Sequence, residues 1–409
     1  MKSLKGIINK NFHALTHSNF KYYWLGQCVS LMGTWMQSIG QSWLVLQLTN
    51  SSFLLGIVSA MQFLPFMFLS PFAGVIIDKF SKKKIIIITQ VTSMLLALIL
   101  SLLVFTGTVK YWEVLILALI LGIVNTLDNP ARQSFIVELV GKKDLMNAIS
   151  LNSATFNLAR IIGPAFGAML ISYLGISWCF MLNGLSFIAV LIGLIRIDVP
   201  YKKEVKTEKT NMLGEIKDGF SYVRSESSII EVLIFIFIMG IFAYNFNVLI
   251  PVYTVHILKM DAQSYGFLLS ALGAGSLAGA MLTSFKSKKG PNMNIIRTSP
   301  IIVGALLTIL GISRNYYALI CLLFVTGIFN IFFSTTANTS LQHKTKDEYR
   351  GRVMSIYSLV FIGSSPIGSF LSGLFSDKLG ADIAFAINGT LLALIIIMIR
   401  IKFYIMNKK

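Results

Sequence analysis

Long apolar runs, broken by short charged connections, recur along the whole chain. A bilayer core about 30 Å thick takes about 20 helical residues per crossing. Twelve runs read as crossings on that measure: 20–47, 53–77, 85–106, 112–130, 147–173, 178–197, 229–255, 264–284, 298–312, 315–336, 352–376 and 382–402, the ninth being the shortest. Backbone groups cannot go unpaired in lipid, and none of the runs alternates as a barrel strand does, so each is predicted to be a helix. The expected fold class is an all-α membrane protein with twelve transmembrane helices in two six-helix halves. The longest connection sets the division: an N-terminal half over 1–197, a linker over 198–228 and a C-terminal half over 229–409. Within the linker Leu213, Ile216, Phe220 and Val223 recur at helical spacing, with Glu215, Lys217 and Asp218 between them. That pattern predicts a short amphipathic helix on the inner membrane face, while the part before Thr210 reads equally well as solvated linker.

Composition agrees with lipid as the solvent. Apolar residues make up 55% of the 409, charged residues 13%, and mean hydropathy is +0.74; soluble domains carry roughly twice that charge fraction. The net charge of +18 is scattered through short connections, with no basic face long enough to follow a phosphate backbone, so nucleic acid is not an expected partner. With both termini inside, 30 of the 35 Lys and Arg residues fall on cytoplasmic segments or helix ends; only Lys110, Lys259, Arg314 and Lys378 face out, and Arg160 lies within a span. The positive-inside rule therefore predicts a multi-pass bacterial inner-membrane protein with cytoplasmic termini. Cys28, Cys179 and Cys321 all fall in apolar runs, which argues against disulfides, and the basic N-terminus runs into a long helix with no cleavage site. No nucleophile–base set, metal cluster or cofactor motif appears, so no enzyme activity and no cofactor are expected. Gly273 to Gly279 imitates a dinucleotide loop but sits inside an apolar run, where it reads as helix packing. Asn388-Gly389-Thr390 is a glycosylation sequon only as a string.

Polar side chains inside the runs carry the functional expectations. Gln27, Ser30, Thr34, Gln37 and Gln41 form one stripe on the first run; Tyr244, Asn247 and Pro251 share a face on the seventh, and Thr326, Asn330 and Ser334 on the tenth. Amides facing lipid cost free energy, so they must face a cavity or another helix. Gln37, Gln41, Asn125, Arg160, Tyr244, Asn247 and Asn330 are the candidate substrate-cavity residues, with Trp35 as a further aromatic wall. Arg160 either binds an anionic substrate group or tethers to Asp128 or to helix carbonyls. Asp128, towards the inner end of the fourth run, is the candidate for proton coupling, because taking a carboxylate out of water favours its protonated form. The four histidines lie in connections.

Three motifs sharpen this picture. Gly74, Asp78 and the cluster Lys82-Lys83-Lys84 resemble the loop signature of the major facilitator superfamily. Ala159-Arg160-Ile161-Ile162-Gly163-Pro164-Ala165-Phe166-Gly167 resembles its antiporter motif, with Ala159 where the family has a glycine. The stretch from Asp128-Asn129-Pro130-Ala131-Arg132-Gln133 to Asn152-Ser153, with Arg350-Gly351-Arg352, resembles the branch of enterobactin exporters and macrolide efflux proteins. Faint echoes between the halves, such as Gly163-Pro164 against Ser365-Pro366, fit the repeated architecture of that class. The resemblance implies a conformational latch built on Gly74, Asp78, Lys82, Lys83 and Arg352, and a hinge at Gly163, Pro164 and Gly167. It implies a monomeric secondary transporter that exports a small amphipathic molecule by alternating access, with protons as the counter-ion. A lipid or lysophospholipid flippase, and a non-transporting sensor or assembly factor, are the alternatives.

Overall fold

The computed structural model describes residues 12–198, 212–286 and 290–406. The linker before Met212 and the basic pair Lys288 and Lys289 lie outside the described residues, as do the side chains of Asp78, Leu213, Glu215, Ile216 and Lys217. Among the described residues every regular element is a helix. Ten helices are long and apolar enough to cross a membrane. One of them, Tyr111–Tyr173, runs for 63 residues, which is two crossings. Ser18–Thr49, with 32 residues, is long enough but is diluted by its glutamines and serines. Counting both arms of Tyr111–Tyr173 and adding Ser18–Thr49 gives twelve spans.

Span 1 is Ser18–Thr49, span 2 Ser52–Lys79 and span 3 Lys82–Phe105; spans 4 and 5 are the arms of Tyr111–Tyr173, and span 6 is Ser177–Arg196. Span 7 begins as Ser227–Phe242, span 8 is Ala262–Lys286, span 9 Met293–Ile312, span 10 Tyr316–Lys344, span 11 Arg350–Leu379 and span 12 Ala381–Met406. The chain forms two compact units: Met1–Leu48 with Phe68–Val205, and Thr49–Met67 with Lys206–Lys409.

Close helix packing in the first unit rests on glycine. Gly26, Gly33 and Gly40 recur every seven residues on span 1 and face span 6: a Cβ on Gly26 would lie 2.8 Å from Val190 Cα, and one on Gly40 3.1 Å from Cys179 Cβ. Beneath this seam Phe20, Tyr23, Ile86, Phe135 and Leu194 form a core from spans 1, 3, 4 and 6. Spans 4 and 5 are joined through Gly141, whose φ of 68° and ψ of 177° lie in a region open essentially to glycine alone.

The second unit uses the same device. Gly275 and Gly279 of span 8 press on the backbone of Phe324 and Ile328 in span 10, so the glycine run read as helix packing packs in that way. Span 9 starts at Met293, five residues earlier than the apolar run suggested, because the Asn292 side chain accepts from Asn294 N at 2.9 Å and caps it. Span 7 was expected to be continuous, but it breaks after Phe242 and resumes as Phe246–Val252 and a π-helical turn, Tyr253–Ile257. The cause is local. Asn245 Nδ2 donates to Ile241 O at 2.6 Å, taking the carbonyl that the next helical amide would use. Gly240 and Gly368 bring span 7 against Ser364 and span 11 at that level.

Candidate functional site

Among the described residues the most enclosed carboxylate of the first unit is Asp128, 6% exposed on span 4. Its Oδ1 accepts from Thr89 Oγ1 at 2.5 Å and from Gln90 Nε2 at 3.2 Å, both on span 3. Its Oδ2 is paired with Arg132 Nε, one turn along the same helix. Arg132 in turn reaches the Tyr23 hydroxyl of span 1 at 3.5 Å. A carboxylate and a guanidinium four residues apart share one helix face, so span 4 carries its own counter-ion. Asp128 is therefore one member of a five-residue polar cluster, rather than the lone carboxyl the sequence indicated. Gln90 Oε1 in this cluster, and Gln27 Nε2 on span 1, are buried without a protein partner.

Span 1 divides its polar stripe. Gln27, Ser30, Gln37 and Gln41 are buried, whereas Thr34 is exposed. Gln37 Oε1 accepts from Asn183 Nδ2 of span 6 at 2.6 Å, an interhelical bond where a cavity-facing amide was expected. The antiporter-like motif packs on the same helix. A Cβ on Gly163 would fall 2.5 Å from Trp35 Cβ, and one on Gly167 3.0 Å from Met36 Cα. Pro164 is buried between these glycines, and half-buried Arg160 lies one turn before them. Trp35 also meets Phe156 of span 5 edge-on at 5.7 Å.

Gly74 is exposed, and a Cβ on it would meet nothing within 4 Å. Lys82 is tied to Glu138 at 2.5 Å and Lys83 to Ile197 O at 2.7 Å, both within the first unit. On the same side His17 bonds Asp144 at 2.8 Å, and Ala14 N donates to Asn147 Oδ1 at 3.0 Å. The His17 bond holds the Asp144 carboxyl below the ordinary carboxylate range. Arg352, half-buried at the start of span 11, packs against the helix Met212–Ser225. Gly219 packs over its side chain, its guanidinium lies 5.4 Å from the Tyr349 ring, and that ring stacks on Tyr222 at 4.2 Å.

Other candidates in the second unit are spread over two helices. Tyr244 lies in the break of span 7, 5.5 Å from the Phe361 ring, and Asn247 is half-buried one turn on. Asn330, 7% exposed on span 10, has its Oδ1 buried without a partner. Asn125 is half-buried on span 4. Sequence reasoning passed over Glu231 and Arg297. Glu231 is 3% exposed near the start of span 7, and Arg297 of span 9 grips it with two bonds of 2.7 and 2.8 Å. Arg160 is thus not the sole ionised residue inside a span. The signal was present as two opposite charges at run edges, Glu231 two residues inside the seventh run and Arg297 immediately before the ninth. Among the described residues no group of three His, Cys, Asp or Glu side chains could hold a metal ion.

Comparison with known proteins places the chain. It is 26% identical to the staphyloferrin A transporter of Staphylococcus aureus, over 95% of this chain and 96% of that protein. It is 24% identical to macrolide efflux protein A of Streptococcus pyogenes, over 92% and 94%. Among solved structures, the nucleoside transporter NupG superposes with a TM-score of 0.72 at 14% identity, covering 96% of this chain and 98% of that one. A D-xylose–proton symporter does so with a TM-score of 0.72 at 14% identity, covering 93% and 96%. The family model described as transmembrane secretion effector matches residues 9–409, and the chain belongs to that family of major facilitator transporters: it is a multi-pass membrane transporter, not an enzyme.

Proposed function

We propose that the chain exports a small amphipathic molecule of the drug, macrolide or siderophore class across a bacterial inner membrane, by alternating access and in exchange for protons. The observation that carries this reading is kinship, over more than nine tenths of both chains, with a macrolide efflux protein and a staphyloferrin A transporter. Two features of the geometry support it. The glycines flanking Pro164 hold span 5 against span 1 with almost no intervening side chain, which suits a hinge that must bend without unpacking. Asp128 sits among an arginine, a threonine and an amide, where gain of a proton would release Arg132 from its only carboxylate in that cluster. Ionisable residues within membrane helices mark ion and proton routes.

Arg160, Asn125, Tyr244, Asn247 and Asn330 are the residues proposed to meet substrate; the unpartnered Asn330 Oδ1 is an acceptor waiting for a donor. Asp78 is proposed as the conformational latch, and Asp78→Asn is expected to slow transport while leaving membrane insertion intact. Both termini are proposed to be cytoplasmic and the working unit a monomer. The test uses inside-out vesicles carrying a pH-sensitive dye, with erythromycin, staphyloferrin A, a catecholate siderophore, ethidium or a lysolipid added singly. Dissipation of the gradient by one class, lost in Asp128→Asn, is the expected result. No response to any of them, in vesicles shown to hold folded protein, rejects proton antiport of these classes.

A further inference from the structure

The start of span 2 keeps unusual company. Although span 2 follows span 1 directly in sequence, Thr49–Met67 is part of the second compact unit and lies along the last turns of span 11. With twelve crossings, this end of both helices is on the side opposite the termini. There Asp377 Oδ1 accepts from Ser51 Oγ at 2.8 Å and from Phe53 N at 3.2 Å, while Ser51 Oγ accepts from Leu54 N at 3.3 Å. A carboxylate of span 11 thus sits on the unsatisfied amides and positive dipole end of span 2. Below it the helices touch through glycine. A Cβ on Gly56 would lie 2.9 Å from Gly373 Cα, and one on Gly373 would lie 2.9 Å from Gly56 Cα and from Ser52 O. Phe53 meets Phe370 edge-on at 5.5 Å, and deeper along the seam Met67 approaches Gly363.

We propose that this seam is the gate on the side opposite the termini, and that Asp377 is the clasp that holds it shut. The proposal rests on the transporter reading above, and it specifies which contact must break in each cycle. The seam is built for parting. Glycine against glycine leaves few interlocking side chains to disengage, and water can take up both the freed carboxylate and the freed amides of span 2. A permanent helix–helix contact has no need of a solvent-replaceable anion at its mouth. Ser52, 4% exposed, is covered only while the seam is closed.

Two measurements test this in membranes containing the full chain. In the first, Ser52→Cys is labelled from the side opposite the termini with a membrane-impermeant maleimide, with and without Asp377→Ala. Removing the clasp is expected to raise the labelling rate about tenfold, the scale set by loss of one charge-assisted hydrogen bond. Asp377→Asn, which keeps the shape and weakens the acceptor, is expected to fall between. Equal rates in all three would overturn the role of Asp377. In the second, Phe53→Cys and Phe370→Cys, which face each other across the seam and leave Asp377 in place, are joined by a short bis-methanethiosulfonate. Cross-linking is expected to abolish erythromycin efflux, and dithiothreitol to restore it; efflux at an unchanged rate while cross-linked would overturn the gate. A reduced double variant that exports no erythromycin speaks against the proposed substrate class alone, because the maleimide rates read the gate without any substrate.

Discussion

A carboxylate as enclosed as Glu231 needs a counter-charge, and Arg297 answers it with both arms of its guanidinium. Glu231→Gln is expected to destabilise the second unit by about 3 kcal/mol, the low end for breaking a buried pair, because Arg297 keeps 29% of its side chain exposed. Thermal unfolding in detergent reads the loss. The double variant Glu231→Gln, Arg297→Met should recover most of it, since no uncompensated charge is left; a double variant as unstable as the single would disprove the pairing account. Asp261 makes a smaller, pH-dependent contribution. Ser264 N donates to it at 2.9 Å at the start of span 8, and this bond, with the Ser264 hydroxyl, holds the Asp261 carboxyl below the ordinary carboxylate range. A depressed folded pKa means stability that is complete above the unfolded value and is lost as pH falls through the folded one. Asp261→Ala should therefore cost about 1 kcal/mol at pH 7 and progressively less below about pH 4. At this scale the sequence was legible in part. It marked Asp128 and Gln37 as buried and polar and held Arg132 one helical turn from Asp128, but the partners Thr89 and Asn183 emerge only when helices far apart in sequence are set side by side.

Elements were more legible than residues, because crossing a bilayer imposes a length and a composition that a sequence must display. Two features escaped for want of such a signature. Ala243, Tyr244 and Asn245 contain no helix breaker, so the interruption of span 7 was invisible until Asn245 was seen bonding Ile241 O. The turn between spans 4 and 5 holds Gly141 among good helix formers, and only its backbone angles show that it re-aims the chain. Gly141→Ala would force a Cβ into a region that side chains avoid, at a cost of about 1–3 kcal/mol. A Cβ there meets no neighbour within 4 Å, so the whole cost is backbone strain. The same thermal assay tests that account: a Gly141→Ala variant as stable as the parent would show the strain argument to be wrong.

For the whole molecule, the sequence carries a vector as well as a fold. Thirty of 35 Lys and Arg residues lie on the side of the termini or at helix ends facing it, against Lys110, Lys259, Arg314 and Lys378 on the other. Insertion reads that bias over short connections, and each misplaced cation near the bilayer centre costs about 2.5–3.5 kcal/mol on the insertion scale. Inverting the chain would carry the whole majority across, so the orientation predicted is the one with both termini inside. Direction of transport depends on it, because a gate clasped by Asp377 faces the outside only if the termini are inside. Lys259→Cys and Glu226→Cys lie at opposite ends of span 7, in its flanking turns. In intact cells an impermeant maleimide is expected to label Lys259→Cys at once and Glu226→Cys only after permeabilisation. The reverse pattern would turn the molecule over, set the Asp377 clasp on the cytoplasmic face, and convert the proposed exporter's outer gate into an inner one.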